Sequence, residues 1–196
     1  MCFPVTIEKG IEKAIISLLD NLHIDWKKDP NTKNTPTRVS KLFVDELLSG
    51  RFMPMPKATV FPNTKKIDEL YTVGPVKVIG VCSHHFLPII GKVWVGVIPD
   101  KKLLGLSKFG RLAKWIYARP QIQEEATHQL ADLLEDLLEP KGLGVICKAD
   151  HLCMNIRGVH DHDSQMTTSV MRGVLSEELT AKHEFITFVR GMKYDV

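Results

Sequence analysis

The sequence has few of the features that mark secreted, membrane-bound or disulfide-stapled proteins. Only four cysteines occur among 196 residues, too few for the disulfide framework of a secreted scaffold, so we expect reduced thiols and a cytoplasmic protein. No apolar run approaches the roughly 20 residues that cross a bilayer. The first residues also lack the basic start and apolar centre of a signal peptide. We therefore expect no association with membranes.

An excess of charge of one sign is also missing. The formal net charge is +3, from 26 basic and 23 acidic residues. Proteins that bind nucleic acid usually carry a larger and more clustered basic excess, so no nucleic-acid partner is expected. The mild positive balance permits an anionic small-molecule ligand. The apolar fraction of 44% is typical of a globular protein with a real core.

Hydrophobic periodicity predicts an N-terminal helical segment, 1–57, followed by a mixed domain, 58–196. Apolar residues at helical spacing predict five helices, at 7–23, from Thr35-Pro36 to Gly50, and at 106–118, 121–139 and 178–190. Runs rich in β-branched residues predict strands at 77–81, 86–98, 143–157 and 166–174. Since helices and strands come in blocks and do not alternate regularly, the order favours an α+β fold.

Two short islands of metal-binding residue types stand out, Cys82-Ser83-His84-His85 and His151-Leu152-Cys153. Thiolate sulfur and imidazole nitrogen are the donors that Zn²⁺ prefers. Neither island has the Cys-x-x-Cys spacing of a structural zinc knuckle. From the residues alone a joint metal site and a set of ordinary core cysteines and histidines remain alternatives.

Strand geometry sets conditions on such a site. In an unbroken strand over 147–157, Cys147, His151 and Cys153 would point to one face, because alternate side chains share a face. Cys82 and His85 would face opposite sides unless the chain bends between them. A shared metal therefore requires a bend after Cys82.

The two islands belong to a longer series of motifs that resembles the GTP cyclohydrolase I family over about residues 7–190. The matching motifs, in order, are Thr35-Pro36-Thr37-Arg38-Val39, Cys82-Ser83-His84-His85-Phe86, Gly105-Leu106-Ser107-Lys108-Phe109-Gly110-Arg111, Arg119-Pro120-Gln121-Ile122-Gln123-Glu124, His151-Leu152-Cys153-Met154 and Arg157-Gly158.

This resemblance implies a tunnelling fold, in which an antiparallel sheet is backed by helices and several subunits close an oligomeric β-barrel. The family commonly forms a homodecamer with active sites at subunit interfaces. Its members open the imidazole ring of GTP, release formate and rearrange the remainder to 7,8-dihydroneopterin triphosphate. That product feeds folate, biopterin or deazaguanine biosynthesis.

The resemblance also implies a role for each matched residue. Cys82, His85 and Cys153 would hold Zn²⁺ with one position left open, and His84 and His151 would carry out acid–base catalysis. Glu124, with Gln123 nearby, would bind the guanine. The remaining matched positions would bind the triphosphate or act in the later ribose rearrangement; they are Lys108, Arg111, Arg157 and Arg38 for the phosphates and Ser107 for the rearrangement.

One departure and two rival hypotheses accompany this interpretation. Most relatives carry Glu where this chain has Ser83, which places the rate and the completion of the reaction in question. One rival is a related tunnelling-fold enzyme acting on another purine or pterin. The other is a non-catalytic binding protein with a closed zinc site, for which Cys147 or His151 would be the fourth donor.

Overall fold

The computed structural model describes the backbone of residues 3–192 and the side chains of residues 6–192. The chain divides into two compact units, residues 1–54 and 55–196. It is an α+β protein. The helices are α1 (Phe3–Asn21), α2 (Thr35–Lys41), α3 (Ser49–Phe52), α4 (Leu106–Tyr117), α5 (Gln123–Leu138), α6 (Leu152–Asn155), α7 (Val174–Glu177) and α8 (Leu179–Gly191), with a π-helical turn at Leu42–Leu47.

Within its described residues the first unit contains helices and turns but no strand. The α1 helix packs against α2, and α2 carries Pro36 in its first turn, where the missing N–H of proline removes no helical hydrogen bond. The Thr37 hydroxyl donates a hydrogen bond of 2.6 Å to Glu12 on α1. Buried apolar residues of this unit include Leu19, Val44 and Leu48.

The second unit contains a five-stranded sheet and a separate two-stranded sheet. The strands of this unit are β1 (Val60–Pro62), β2 (Tyr71–Cys82), β3 (Pro88–Ile98), β4 (Lys102–Leu104), β5 (Pro120–Gln121), β6 (Gly142–His151) and β7 (Met166–Gly173). The large sheet has the order β5-β2-β3-β6-β7, and β1 pairs with β4 separately. Every pairing in the large sheet is antiparallel except the short parallel contact of β2 with β5.

Helices α4 and α5 cover one face of the sheet. The main core brings α4 and α5 onto the strands; Leu112, Leu130 and Leu134 are fully buried there against Val93 and Val145. This is the arrangement of one hydrophobic core between two layers. The predicted helices at 106–118 and 121–139 are confirmed, with α5 ending in a left-handed residue, Glu139, before Pro140.

A second cluster lies on the opposite face, towards the end of the sheet away from Cys82, where Phe185 of α8 packs on β3 and β6. Gly96 and Gly144 are opposite each other in the ladder. A Cβ atom on either glycine would lie 2.6 Å from the ring of Phe185 on α8, so the two glycines leave the space that this buried ring occupies. Trp94 and Leu175 complete the cluster.

The predicted strand over 143–157 is wrong at its C-terminal end. Strand β6 stops at His151, and the next four residues form the helical turn α6. Cys153 and Arg157 therefore do not continue the strand face that carries Cys147. Within residues 3–192, no helix combines the length and apolar character needed to cross a bilayer.

Candidate metal and catalytic site

Cys82 ends β2 at the start of a tight turn. The Phe86 N–H donates to the Cys82 carbonyl at 2.9 Å, and the Cys82 N–H donates to the Leu87 carbonyl at 2.9 Å. Phe86 has a φ of +56°, the left-handed conformation that lets a short loop reverse direction. Ser83, His84 and His85 lie exposed on the turn while Cys82 stays buried. The required bend after Cys82 is present.

Cys153 on α6 lies against Cys82, so the two islands meet. Burial raises the pKa of the Cys153 thiol, and the neighbouring Cys82, through its charge and a hydrogen bond, raises it further; Arg157 opposes the shift. Two adjacent thiols resist ionising together because the second negative charge is repelled by the first. A divalent cation removes that repulsion, and zinc binds thiolates. The thiol pair fits a zinc ion in its donor chemistry.

The imidazole donors are less well defined. His84 Nδ1 lies 3.6 Å from Cys82 Sγ, and the ring centroids of His84 and His85 are 6.4 Å apart. No group of three or more His, Cys, Asp or Glu side chains within the described part of the chain is arranged as a metal cluster. The choice of His85 as the third ligand beside Cys82 and Cys153 remains a prediction.

His151 ends β6 and makes one well-defined polar contact. Its Nε2 is 2.8 Å from Oε1 of Gln123, the first residue of α5. Burial lowers the pKa of His151, while the charges of Glu124 and Asp150 act in the opposite direction. Glu124 is exposed beside the buried Gln123, so its carboxylate and the His151 imidazole face a common region.

Gln123 is only 1% exposed although it opens a helix. Its amide nitrogen lies 3.3 Å from the Cys147 carbonyl, 3.1 Å from the Met166 carbonyl and 3.1 Å from Thr168 Oγ1. The amide is thus occupied by protein partners on both its nitrogen and its oxygen. Its predicted contact with guanine has not been tested.

The predicted phosphate-binding residues occur in three places. Ser107, Lys108 and Arg111 lie in the first turns of α4, which has no side-chain cap and no acidic residue in its first turn; such helix starts favour anions. Arg157 is exposed just beyond α6, and its charge acts on Cys153. Arg38 is exposed on α2, in the first unit.

Cys147 is a core residue. It is fully buried, and burial raises the pKa of its thiol to about 11, against the opposing effect of a hydrogen bond from Tyr117. The Cys147 thiol lies in the main hydrophobic core, hydrogen-bonded with Tyr117. Its role as the fourth donor of a closed zinc site remains a prediction of the rival hypothesis.

Sequence reasoning missed the hydroxyl groups that surround Gln123. Thr127 Oγ1 lies 2.7 Å from the Gln123 carbonyl, 2.9 Å from Thr168 Oγ1 and 3.0 Å from the Tyr117 hydroxyl. Gln123 and Thr127 are spaced i, i+4 on the buried face of α5. The sequence feature that could have indicated this network is the presence of two polar residues at that spacing on an otherwise apolar helix face.

The α+β fold, the contact between the Cys82 and Cys153 thiols and the histidines of the two islands define a protein with a candidate metal-dependent catalytic site. The comparisons with known proteins then identify the family. The sequence profile of GTP cyclohydrolase I matches residues 11–190.

Curated relatives agree with that match. A GTP cyclohydrolase 1 of Wigglesworthia glossinidia brevipalpis is 39% identical over 90% of this chain and 82% of its own length. A GTP cyclohydrolase 1 of Aquifex aeolicus is 37% identical over 94% of this chain and 98% of its own. Among solved structures, an archaeosine synthase QueF-Like in the apo form aligns with a TM-score of 0.40 and 15% identity over 61% of this chain and 97% of its own, too distant to carry an argument. The chain belongs to the GTP cyclohydrolase I family.

Proposed function

We propose that this protein hydrolyses GTP to 7,8-dihydroneopterin triphosphate and formate. The observation that carries the proposal is the meeting of Cys82 with Cys153 in a chain of the GTP cyclohydrolase I family. We also propose that residues 58–196 form the catalytic domain, with the tunnelling fold, and that residues 1–57 form a helical segment. The proposed location is the cytoplasm.

Zinc is the proposed metal. Cys82, Cys153 and a histidine of the turn, assigned to His85 by family resemblance, would hold it with one position open. A zinc ion in such a site supplies Lewis-acid activation of water at neutral pH. Membership of the GTP cyclohydrolase I family supports the open, catalytic site over the closed one.

His151 and His84 are the proposed acid–base groups. Imidazole titrates close to neutral pH, so it can give a proton to a purine nitrogen and take one back in a later step. His151 is held through Gln123. His84 lies on the turn next to Cys82. His84 therefore adjoins the thiol pair, and His151 precedes Cys153 by two residues at the same end of the sheet.

The remaining residues are proposed to bind and orient GTP. Glu124 presents two acceptor oxygens, which match the adjacent N1–H and amine donors of guanine. Four cationic side chains supply charge for the triphosphate, namely Lys108, Arg111, Arg157 and Arg38. Ser107 is proposed to act in the ribose rearrangement. We propose that the protein forms a homodecamer that closes a β-barrel and has its active sites at subunit interfaces, as the family resemblance implies.

The test is incubation of the zinc-loaded protein with GTP, with pterin absorbance and formate followed together. Both signals rising together would support the full reaction. Formate without the pterin band would mean that ring opening occurs and cyclisation fails. Neither signal, with bound zinc verified, would overturn the proposal and favour a binding protein or an enzyme with another purine or pterin substrate.

A matched pair of histidine variants ties the reaction to the site. We expect His151→Asn to lower kcat by about 10²- to 10⁴-fold, the contribution typical of a general acid–base group. His128→Asn removes an exposed histidine on α5 and should leave kcat unchanged. Equal effects of the two substitutions would argue against a role for His151.

A further inference from the structure

We propose that Gln123 is a positioning residue that holds His151 with the ring proton on Nε2, so that Nδ1 is the nitrogen available to the substrate. The kinetic part of this inference rests on the proposed function. The tautomer itself does not. Gln123 then acts through His151 rather than by touching GTP.

The first step is the orientation of the Gln123 amide. Its nitrogen faces two backbone carbonyl oxygens, those of Cys147 and Met166, at 3.3 and 3.1 Å. A carbonyl oxygen can only accept a hydrogen bond. Turning the amide over would place its oxygen against both carbonyls, with three acceptors and no proton between them. The nitrogen must therefore face the carbonyls, and the oxygen must face His151.

The second step is the tautomer of His151. Because Gln123 Oε1 is an acceptor, the His151 Nε2 that lies 2.8 Å away must donate. In a neutral imidazole only one nitrogen carries the proton, and the other keeps its lone pair. Nδ1 is then the free nitrogen. Protein partners of this kind commonly set which nitrogen of a functional histidine is available.

The third step is that the hydroxyl groups reinforce the amide. The Thr127 hydroxyl donates to the Gln123 carbonyl at 2.7 Å, which uses its only proton. Thr127 Oγ1 is then the acceptor for the Thr168 hydroxyl at 2.9 Å. Thr168 Oγ1 in turn accepts from the Gln123 amide at 3.1 Å. The Gln123 amide has two protons for three acceptors, so one proton is shared between two of them. Each hydroxyl proton of the loop still has one direction.

The network also explains why Gln123 is buried at a helix start. Burying an amide costs free energy unless its polar atoms are hydrogen-bonded, and here both are. Contacts from β6 and β7 fix the side chain, while α5 fixes its backbone. A side chain fixed by three elements can orient the His151 ring, but it cannot easily change conformation to bind a substrate.

The first experiment observes the tautomer directly. Zinc-loaded protein labelled with [¹⁵N]histidine is examined by NMR at a pH where the ring is neutral, and His151 is assigned by its absence in His151→Asn. We expect a protonated Nε2 whose proton exchanges slowly with solvent. In Gln123→Met that slow exchange should be lost. A protonated Nδ1 in the unsubstituted protein would overturn the inference, whatever its activity on GTP.

The second experiment separates positioning from substrate contact. Gln123→Met should lower kcat by about 10- to 100-fold, the usual cost of removing a partner that orients a functional group. The KM for GTP should stay within about threefold, since no ground-state contact is lost. A raised KM with unchanged kcat would overturn the inference and return Gln123 to the guanine-binding residues.

Variants of Thr168 keep the test decisive if Gln123→Met does not fold. Thr168→Val removes the hydroxyl that accepts from Gln123 and should lower kcat and speed exchange of the His151 Nε2 proton. Thr168→Ser, which keeps the hydroxyl, should restore both. Ser169→Ala removes an exposed hydroxyl from the adjacent position of β7 and is the matched control. Equal effects of Thr168→Val and Ser169→Ala would contradict the role assigned to the network.

Discussion

The two ends of the five-stranded sheet differ in how the sequence uses them. At one end β2 and β6 stop at Cys82 and His151, and the chain turns sharply to bring thiols and imidazoles together. At the other end Gly96 and Gly144 leave a space that the Phe185 ring fills. The first end carries thiols and imidazoles, and the second carries an aromatic ring packed closely against two glycines. Substitutions should therefore affect activity at one end and stability at the other.

The largest effect should come from the thiol pair. We expect Cys153→Ala to remove bound zinc and lower turnover of GTP by at least about 10³-fold, equivalent to roughly 4 kcal/mol of barrier. The substitution removes one of two adjacent sulfur donors. Metal content and steady-state kinetics are the measurements.

Cys147→Ala is the matched control for that substitution, because it removes a cysteine that lies in the core. The Cys147→Ala protein should keep its zinc and have a lower free energy of unfolding. Loss of zinc from Cys147→Ala with retention in Cys153→Ala would reverse the assignment and revive the closed site.

A smaller effect, confined to stability, is expected at the opposite end. Gly144→Ala places a Cβ atom 2.6 Å from the Phe185 ring, and overpacking of this kind costs about 1–3 kcal/mol. Chemical denaturation measures it, and kcat of the folded protein should not change.

The clash can be isolated by a double-mutant cycle. Once Phe185→Ala has removed the ring, the further change Gly144→Ala should cost much less than it does alone. Additive effects of the two substitutions would mean that the glycine matters for a reason other than the ring.

The smallest effect should come from Ser83→Glu. Ser83 is exposed on the turn after Cys82, so the change in the free energy of unfolding should stay within about 0.5 kcal/mol. Comparing formate release with pterin formation in this variant tests whether the serine limits cyclisation. A large loss of stability would show that the turn depends on the short side chain.

The same contrast explains what the sequence could predict. Helical periodicity located α4 and α5 well because each buries one continuous apolar face. The strand predicted over 143–157 failed after His151, since alternation of side chains cannot reveal where a strand gives way to a helical turn. The space at Gly96 and Gly144 was missed because it depends on pairing between distant strands and on a ring from α8.

The candidate site was predictable only in part. Family resemblance pointed to Cys82, Cys153 and His151, and the structure brings the two cysteines together. Family resemblance could not reveal that the amide of Gln123 is enclosed by Cys147, Met166 and Thr168, because those contacts join residues far apart in sequence. Nor does spacing alone choose between His84 and His85 as the ligand.

The placement of the two thiols has a consequence for the order of folding. Cys82 and its turn belong to a hairpin of neighbouring strands, which can form from local contacts while the rest of the chain is still being synthesised. Cys153 reaches that hairpin only after β6 has paired with β3. In the proposed zinc site, full metal affinity would thus arise only late in assembly. The time course of zinc uptake during refolding would therefore report when β6 pairs with β3.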